Sequence, residues 1–153
     1  MATILTKRLN KELREMQTHG LPTGITIVRA DDLSEWLLSV EVLGNTLYEG
    51  EKFCLRFEFP HNYPIDSPAV TFVADDKWTA PVHPHVYSNG HICASILGPE
   101  WSPVLSVVSV CLTLQSMLAS CTSKQRPPDN DKYVSHAPRN PKNTRFHYDD
   151  DTV

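Results

Sequence analysis

Cys93 lies in the run His83-Pro84-His85-Val86-Tyr87-Ser88-Asn89-Gly90-His91-Ile92-Cys93, and Trp101-Ser102-Pro103 follows eight residues after the thiol. A thiolate is both a strong nucleophile and a good leaving group, so a thiol held on an irregular loop suits acyl transfer. The same run offers other chemistry. His83-x-His85 and His91-x-Cys93 supply four possible zinc ligands, but Pro84 and the turn at 87–90 need not bring them together, and no second CxxC-like pair supports them. A cysteine hydrolase needs an imidazole touching the thiol and oriented by Asn or Asp. His91 shares a face with Cys93 if the segment is extended, yet a hydrolase thiol normally opens a helix, and here the next helix starts about ten residues later. Metal analysis would separate out the first rival, and hydrolysis without transfer to an amine the second.

The elements that must position this loop can be read from periodicity. Ile4, Leu5, Leu9, Leu13 and Met16 recur at helical spacing, with Lys7, Arg8, Lys11, Glu12, Arg14 and Glu15 between them, predicting a helix over 3–17 that ends at His19-Gly20-Leu21-Pro22. Ile25–Val28, the alternation Trp36, Leu38, Val40, Val42, the alternation Phe53, Leu55, Phe57, Phe59, and Val70–Val73 predict four strands. Short turns at Gly44-Asn45 and Glu49-Gly50, then a proline-rich stretch at 60–68, favour an antiparallel meander in an α+β chain. Residues 75–103 show no periodicity, and so long a loop in a compact domain is usually functional. Ser102 as cap and Pro103 as first residue open a second helix, whose Val104, Val107, Val108, Cys111, Leu112, Leu114 and Leu118 put apolar groups on most of its circumference. Residues 1–124 thus form the core domain. Residues 125–153, with four prolines and an Asp149–Asp151 run, are expected to be an irregular, weakly packed or mobile tail.

Bulk properties narrow the function. The 153 residues are 41% hydrophobic and 21% charged, enough for one domain with a real core. A net charge of -4 disfavours a nucleic-acid partner. The first 20 residues are charged throughout and read as no export signal, and the longest apolar stretch, 104–118, is too short and too interrupted to span a bilayer. Cys54, Cys93, Cys111 and Cys121 follow no regular spacing, so reduced thiols are expected.

Five motifs in order resemble the ubiquitin-conjugating enzyme (E2) family. They are Lys7–Leu13 in the first helix, Tyr48-Glu49-Gly50-Glu51-Lys52-Phe53, Tyr63-Pro64-Ile65-Asp66-Ser67-Pro68, the run from His83-Pro84 through Asn89-Gly90-x-Ile92-Cys93, and Trp101-Ser102-Pro103. The resemblance covers residues 3–120 and implies the UBC fold: an N-terminal helix, a four-stranded antiparallel meander, a long active-site loop and a buried central helix. His85 stands where the family usually has Asn, and a proline-rich tail replaces the usual C-terminal helices. Both departures resemble the W-type E2, known for conjugating ubiquitin to N-terminal α-amines.

The resemblance implies that Cys93 accepts ubiquitin from an E1 enzyme as a thioester and yields it to an amine, with ATP spent at the E1 step and no cofactor here. Ordinary lysine specificity is the alternative. His85 either donates a hydrogen bond in place of the Asn or only shapes the turn. Asp129, with Asn130 beside it, is either an acceptor-positioning acid or a solvated loop residue. His83, Tyr87 and Asn89 support the loop, Tyr87 by offering its hydroxyl to backbone groups. Lys7 and Arg8 match the E1-contacting pair, or else form a solvated helix face. Ile65, Pro103 and Val104 match the two loops that dock RING or U-box E3 ligases, although Val104 could equally be core. Trp101 is expected as a packing anchor, and the other three cysteines as ordinary thiols. A binding module lacking catalysis is disfavoured by the presence of Cys93. Ubiquitin, E1, E3 ligases and substrates with flexible N-termini are the expected partners, with no nucleic acid or membrane, in both cytoplasm and nucleus.

Overall fold

A computed structural model describes residues 3–146; the Asp149–Asp151 run lies outside the described residues. Helix α1 (Ile4–His19) is capped by Thr3, whose hydroxyl accepts from the Thr6 amide. It runs two residues beyond the predicted end and stops at Gly20, where φ is positive. Strands β1 (Ile25–Asp32), β2 (Glu35–Glu41), β3 (Lys52–Glu58) and β4 (Ala69–Phe72) follow. They form one antiparallel sheet in the order β1-β2-β3-β4, the expected meander. Period-two alternation is visible in β2, where Trp36, Leu38 and Val40 are buried and the residues between them are only partly so. In β3, Phe53, Leu55 and Phe57 pair opposite Val40, Leu38 and Trp36, which stacks the apolar faces of the two strands.

Residues 75–103 contain one short 3-10 turn, Ser95–Leu97, and isolated bridges, as a functional loop was expected to. Helix α2 (Val107–Ala119) starts later than the sequence predicts. Ser106, not Ser102, is the cap, its hydroxyl accepting from the Ser109 amide at 3.2 Å. The reason lies outside the helix. The Pro103 and Leu105 carbonyls are taken by Arg8 of α1, at 2.7 and 2.5 Å, which holds 102–105 as a turn. Val104 is therefore 86% exposed, not core. The helix buries Val107, Val110, Cys111, Leu114 and Leu118, while Leu112 is 42% exposed, so one face is buried where most of the circumference was expected.

The core joins α1, α2 and the sheet through Leu9, Met16, Trp36, Phe53, Phe57, Phe72, Leu114 and Leu118. Each such side chain contributes roughly 1.5–3 kcal/mol on leaving water. Beyond α2, in the stretch expected to be irregular, Asn130–His136 form a short helix, α3, and Pro141–Asn143 a 3-10 turn whose Pro141 is buried.

Candidate active site

Cys93 closes a tight double-back of the chain. The Tyr87 amide donates to the His91 carbonyl and the Gly90 amide to the Tyr87 carbonyl, both at 2.9 Å, turning the chain over Tyr87–Gly90. Asn89 tightens that turn, its side-chain oxygen accepting from the His91 amide at 3.1 Å. Gly90 has φ +92, and a Cβ there would lie 1.9 Å from the Phe72 carbonyl oxygen, so only glycine fits. One step further out, the Cys93 amide donates to the His85 carbonyl at 2.8 Å. That backbone bond sets the Cys93 residue beside the His85 residue.

His83 anchors the other arm. It is wholly buried, and its Nδ1 accepts from the His85 amide at 2.9 Å. Burial, with His85 close by, pushes its pKa down to about 4, so at neutral pH the ring is uncharged and Nδ1 is available as acceptor. The Met117 backbone acts in the opposite direction without offsetting burial. His91 is buried too. Its Nδ1 meets the Tyr133 hydroxyl at 2.7 Å, and that hydroxyl meets Thr144 at 2.9 Å. Burial lowers its pKa as well. Nδ1 of His91 is thus engaged with Tyr133. Among the described residues, no group of three His, Cys, Asp or Glu could hold a metal ion.

The thiol opens into a cleft of about 740 Å³. Pro84, His85 and Tyr87 line one side, the segment from Gln125 to Asp129 another, and Tyr133 with 144–146 a third. The structure thus brings Cys93, His85, Tyr87 and Asp129 together. Tyr87 differs from expectation: its hydroxyl donates to the Asp129 carboxylate at 3.1 Å, not to backbone. Burial and that carboxylate both raise the Tyr87 pKa, keeping the phenol protonated as donor. Asn130 caps the turn from outside, its side-chain oxygen accepting from the Ser88 amide at 2.9 Å. Tyr133 stacks on Tyr87 with ring centroids 4.0 Å apart, and Phe146 packs on the same pair.

The thiols are not equivalent. Cys54, Cys111 and Cys121 are buried and Cys93 is partly open. Burial pushes Cys54 up to about 11 and Cys111 up to about 12, which leaves both protonated and unreactive at neutral pH.

The remaining predicted residues lie on α1 and on the loops around 63–68 and 101–105. Lys7 is exposed, whereas Arg8 is engaged with Glu12 and the Pro103–Leu105 turn. Ile65 is 63% exposed and stands with Pro103 and Val104 on two neighbouring loop tips. Trp101 is the packing anchor expected, leaning on Tyr63 and donating from Nε1 to the Pro64 carbonyl at 3.0 Å.

Arg126, Glu12 and Tyr133 escaped the sequence reading. Arg126 donates to the Pro81 carbonyl at 2.8 Å and to the Val86 and Ala80 carbonyls at 3.3 Å, pinning both ends of the histidine-bearing arm. Nothing local marks it out from its polar neighbours. Glu12 is only 3% exposed and was detectable, since it follows Leu9 by three and precedes Met16 by four on the apolar stripe of α1.

The chain matches the family model described as "Ubiquitin-conjugating enzyme" over residues 8–148. It is 51% identical over 149 residues to the probable ubiquitin-conjugating enzyme E2 W-A of Danio rerio, covering 95% of this chain and 96% of that one. It is 47% identical to the probable ubiquitin-conjugating enzyme E2 W of Dictyostelium discoideum, over the full length of both. Its fold is similar to the crystal structure of the E2 UbcA1 from Agrocybe aegerita, with a TM-score of 0.91, 64% identity, and coverage of 92% of this chain and 100% of that one. Among the described residues, no helix is long and apolar enough to cross a membrane.

Proposed function

This chain belongs to the ubiquitin-conjugating enzyme (E2) family and resembles its W type, and we propose that it carries ubiquitin as a thioester on Cys93 and passes it to the N-terminal α-amine of its substrates. The observation that carries the proposal is the cleft itself: one accessible thiol, His85 beside it, and an Asp129 carboxylate already accepting from Tyr87. The amine attacks the thioester carbonyl, the carbon–sulfur bond breaks, and Cys93 leaves as thiolate while the nitrogen sheds its proton to water or a nearby base.

In this reading Asp129, already accepting from the Tyr87 hydroxyl, positions the acceptor and does not strip its proton. The acceptor must then arrive uncharged. An α-amine with pKa about 7.8 is roughly a quarter neutral at pH 7.4, against roughly 0.1% for a lysine of pKa about 10.4. The difference favours α-amines by a few hundredfold, on the order of 3 kcal/mol, before any contact is made. His85 offers a further donor where the thioester oxygen develops charge, and Asp129 borders the path of the acceptor, with Asn130 beside it held on the Ser88 amide.

Delivery requires partners. We assign the E1 contact to the basic face of α1 headed by Lys7, with Arg8 next to it, and the RING or U-box E3 contact to the apolar tips Ile65, Pro103 and Val104, whose exposure suits a small transient interface. Action in both cytoplasm and nucleus is consistent with a mass of 17.3 kDa.

Incubation with E1, ATP and ubiquitin followed by non-reducing electrophoresis tests the first half: a reductant-labile adduct should form and be absent in Cys93→Ala. Discharge of the purified thioester tests the second. A peptide with a free N-terminus and no lysine should react about a hundredfold faster than its Nα-acetylated, lysine-containing counterpart. Equal rates would overturn the α-amine assignment and leave ordinary lysine specificity.

A further inference from the structure

Arg8 and Glu12 lie one helical turn apart on α1 and form an ion pair at 3.0 Å, with Arg8 21% and Glu12 3% exposed. Neither member is finished by the other. The two remaining guanidinium nitrogens donate to the Pro103 and Leu105 carbonyls, one on each side of Val104. The Glu12 carboxylate accepts from the Tyr63 hydroxyl at 2.5 Å through one oxygen and from the Val107 amide at 2.8 Å through the other. Burial and the Glu12 charge raise the Tyr63 pKa, so the phenol remains a donor.

The geometry has a definite outcome. Tyr63 opens the turn that ends in the Ile65 tip, and Pro103–Leu105 is the root of the Val104 tip. The tips themselves are 63% and 86% exposed. Their roots meet at one ion pair, reinforced by Trp101, which leans on Tyr63 and bonds the Pro64 carbonyl. A planar guanidinium with nitrogens fixed in a fork can hold a carboxylate and two carbonyls at once, which an ammonium on a flexible stem cannot do with the same geometry.

We propose that the Arg8–Glu12 pair is a positioning element for partner docking: it sets the distance between the Ile65 and Val104 tips, and so the strength with which an apolar-grooved E3 domain grips them. The inference rests on the assignment of E3 docking to these tips. It gives Arg8 a task inside the molecule, distinct from contact with E1.

The experiment is a double-mutant cycle on pre-charged enzyme, with E1 removed so that charging drops out. The readout is the stimulation factor: the discharge rate with a RING domain divided by the rate of the same variant without it. Arg8→Lys, which keeps the charge, should lower the factor about fivefold in the native background and by less than about twofold in Val104→Ala, because a truncated tip no longer needs placing. Tyr63→Phe, acting from the other loop, should lower it in the native background and be silent in Ile65→Ala. It stands as the second probe should Arg8→Lys fail to fold. Independent, multiplicative losses would mean that Arg8 touches the partner directly, or matters only for folding, and would overturn the inference while leaving the docking site intact. Undiminished stimulation in both Ile65→Ala and Val104→Ala would remove the docking assignment and the inference together.

Discussion

At position 90 a methyl group is the difference between a working loop and none. Gly90→Ala would combine a positive φ, which L side chains adopt at a cost of about 1–2 kcal/mol, with a Cβ driven into the Phe72 carbonyl. The expected result is a loss of roughly 2–4 kcal/mol in urea denaturation, together with loss of the thioester on Cys93. His83 makes a second demand, since it must stay neutral to accept from the His85 amide. Its folded pKa of about 4 lies below the ordinary value of 6.5. Between those values the unfolded chain binds the extra proton, so stability falls as pH drops from about 6.5 to about 4 and levels off below, for a loss on the order of 3 kcal/mol. His91, shifted the same way, adds to the slope. His83→Asn, whose side-chain oxygen can take the place of Nδ1, should flatten urea midpoints measured across that window; an unchanged slope would assign the effect elsewhere. At this scale the sequence shows what a residue type can do, but not whom it meets. The turn at Asn89-Gly90, with its positive φ, was legible from its neighbours in the chain. The Tyr87 hydroxyl was not, because its partner Asp129 lies 42 positions away.

The same distinction separates the elements. The four strands were legible because alternation is local, and β2 and β3 could be placed to within a residue of their observed bounds. The start of α2 was not. Ser102 and Ser106 are both competent caps, and the choice between them is made by Arg8, 95 positions from Pro103. Glu12 then adds to the chosen start by accepting from the Val107 amide, a long-range cap on top of the local one from Ser106. The two caps are of different size. Ser106→Ala removes the neutral hydrogen bonds to the Ser109 amide and hydroxyl at a helix end and should cost about 1 kcal/mol. Glu12→Ala leaves Arg8, Tyr63 and the Val107 amide without their shared acceptor, and breaking such a buried pair costs about 3–5 kcal/mol. Thermal unfolding of the two variants side by side should therefore show a far larger drop for Glu12→Ala, and similar drops would mean that the carboxylate acts only as a cap.

Across the whole molecule, the Ile65 and Val104 loops and the thiol cleft are built on different logics. The loop bearing Val104 is pinned by hydrogen bonds from an ion pair within α1, Arg8–Glu12, to Pro103, Leu105 and Val107, whereas the cleft at the thiol is closed by chain that arrives last. Composition alone made residues after 124 look weakly packed, since four prolines and few aliphatics give no face to bury. What holds 130–146 is instead a series of single contacts to residues far back in the chain. Lys142 Nζ donates to the Ser67 carbonyl at 2.7 Å, Pro141 is buried, and Thr144 reaches His91 through the Tyr133 hydroxyl. Tyr133 carries two of these functions, a ring stacked on Tyr87 and a hydroxyl in the His91–Thr144 chain. Tyr133→Phe separates them, keeping the stack and deleting the bridge. One neutral hydrogen-bond chain contributes about 1 kcal/mol, too little to unfold the sheet. Local opening, however, draws on local contacts only. Hydrogen exchange followed by mass spectrometry should therefore accelerate several-fold in peptides spanning 137–146 and around His91, while β2 and β3 exchange as before. Acceleration spread evenly over the chain would mean that the tail and the core open as one unit, and that the hydroxyl bridge has no separate role in closing the cleft over Cys93.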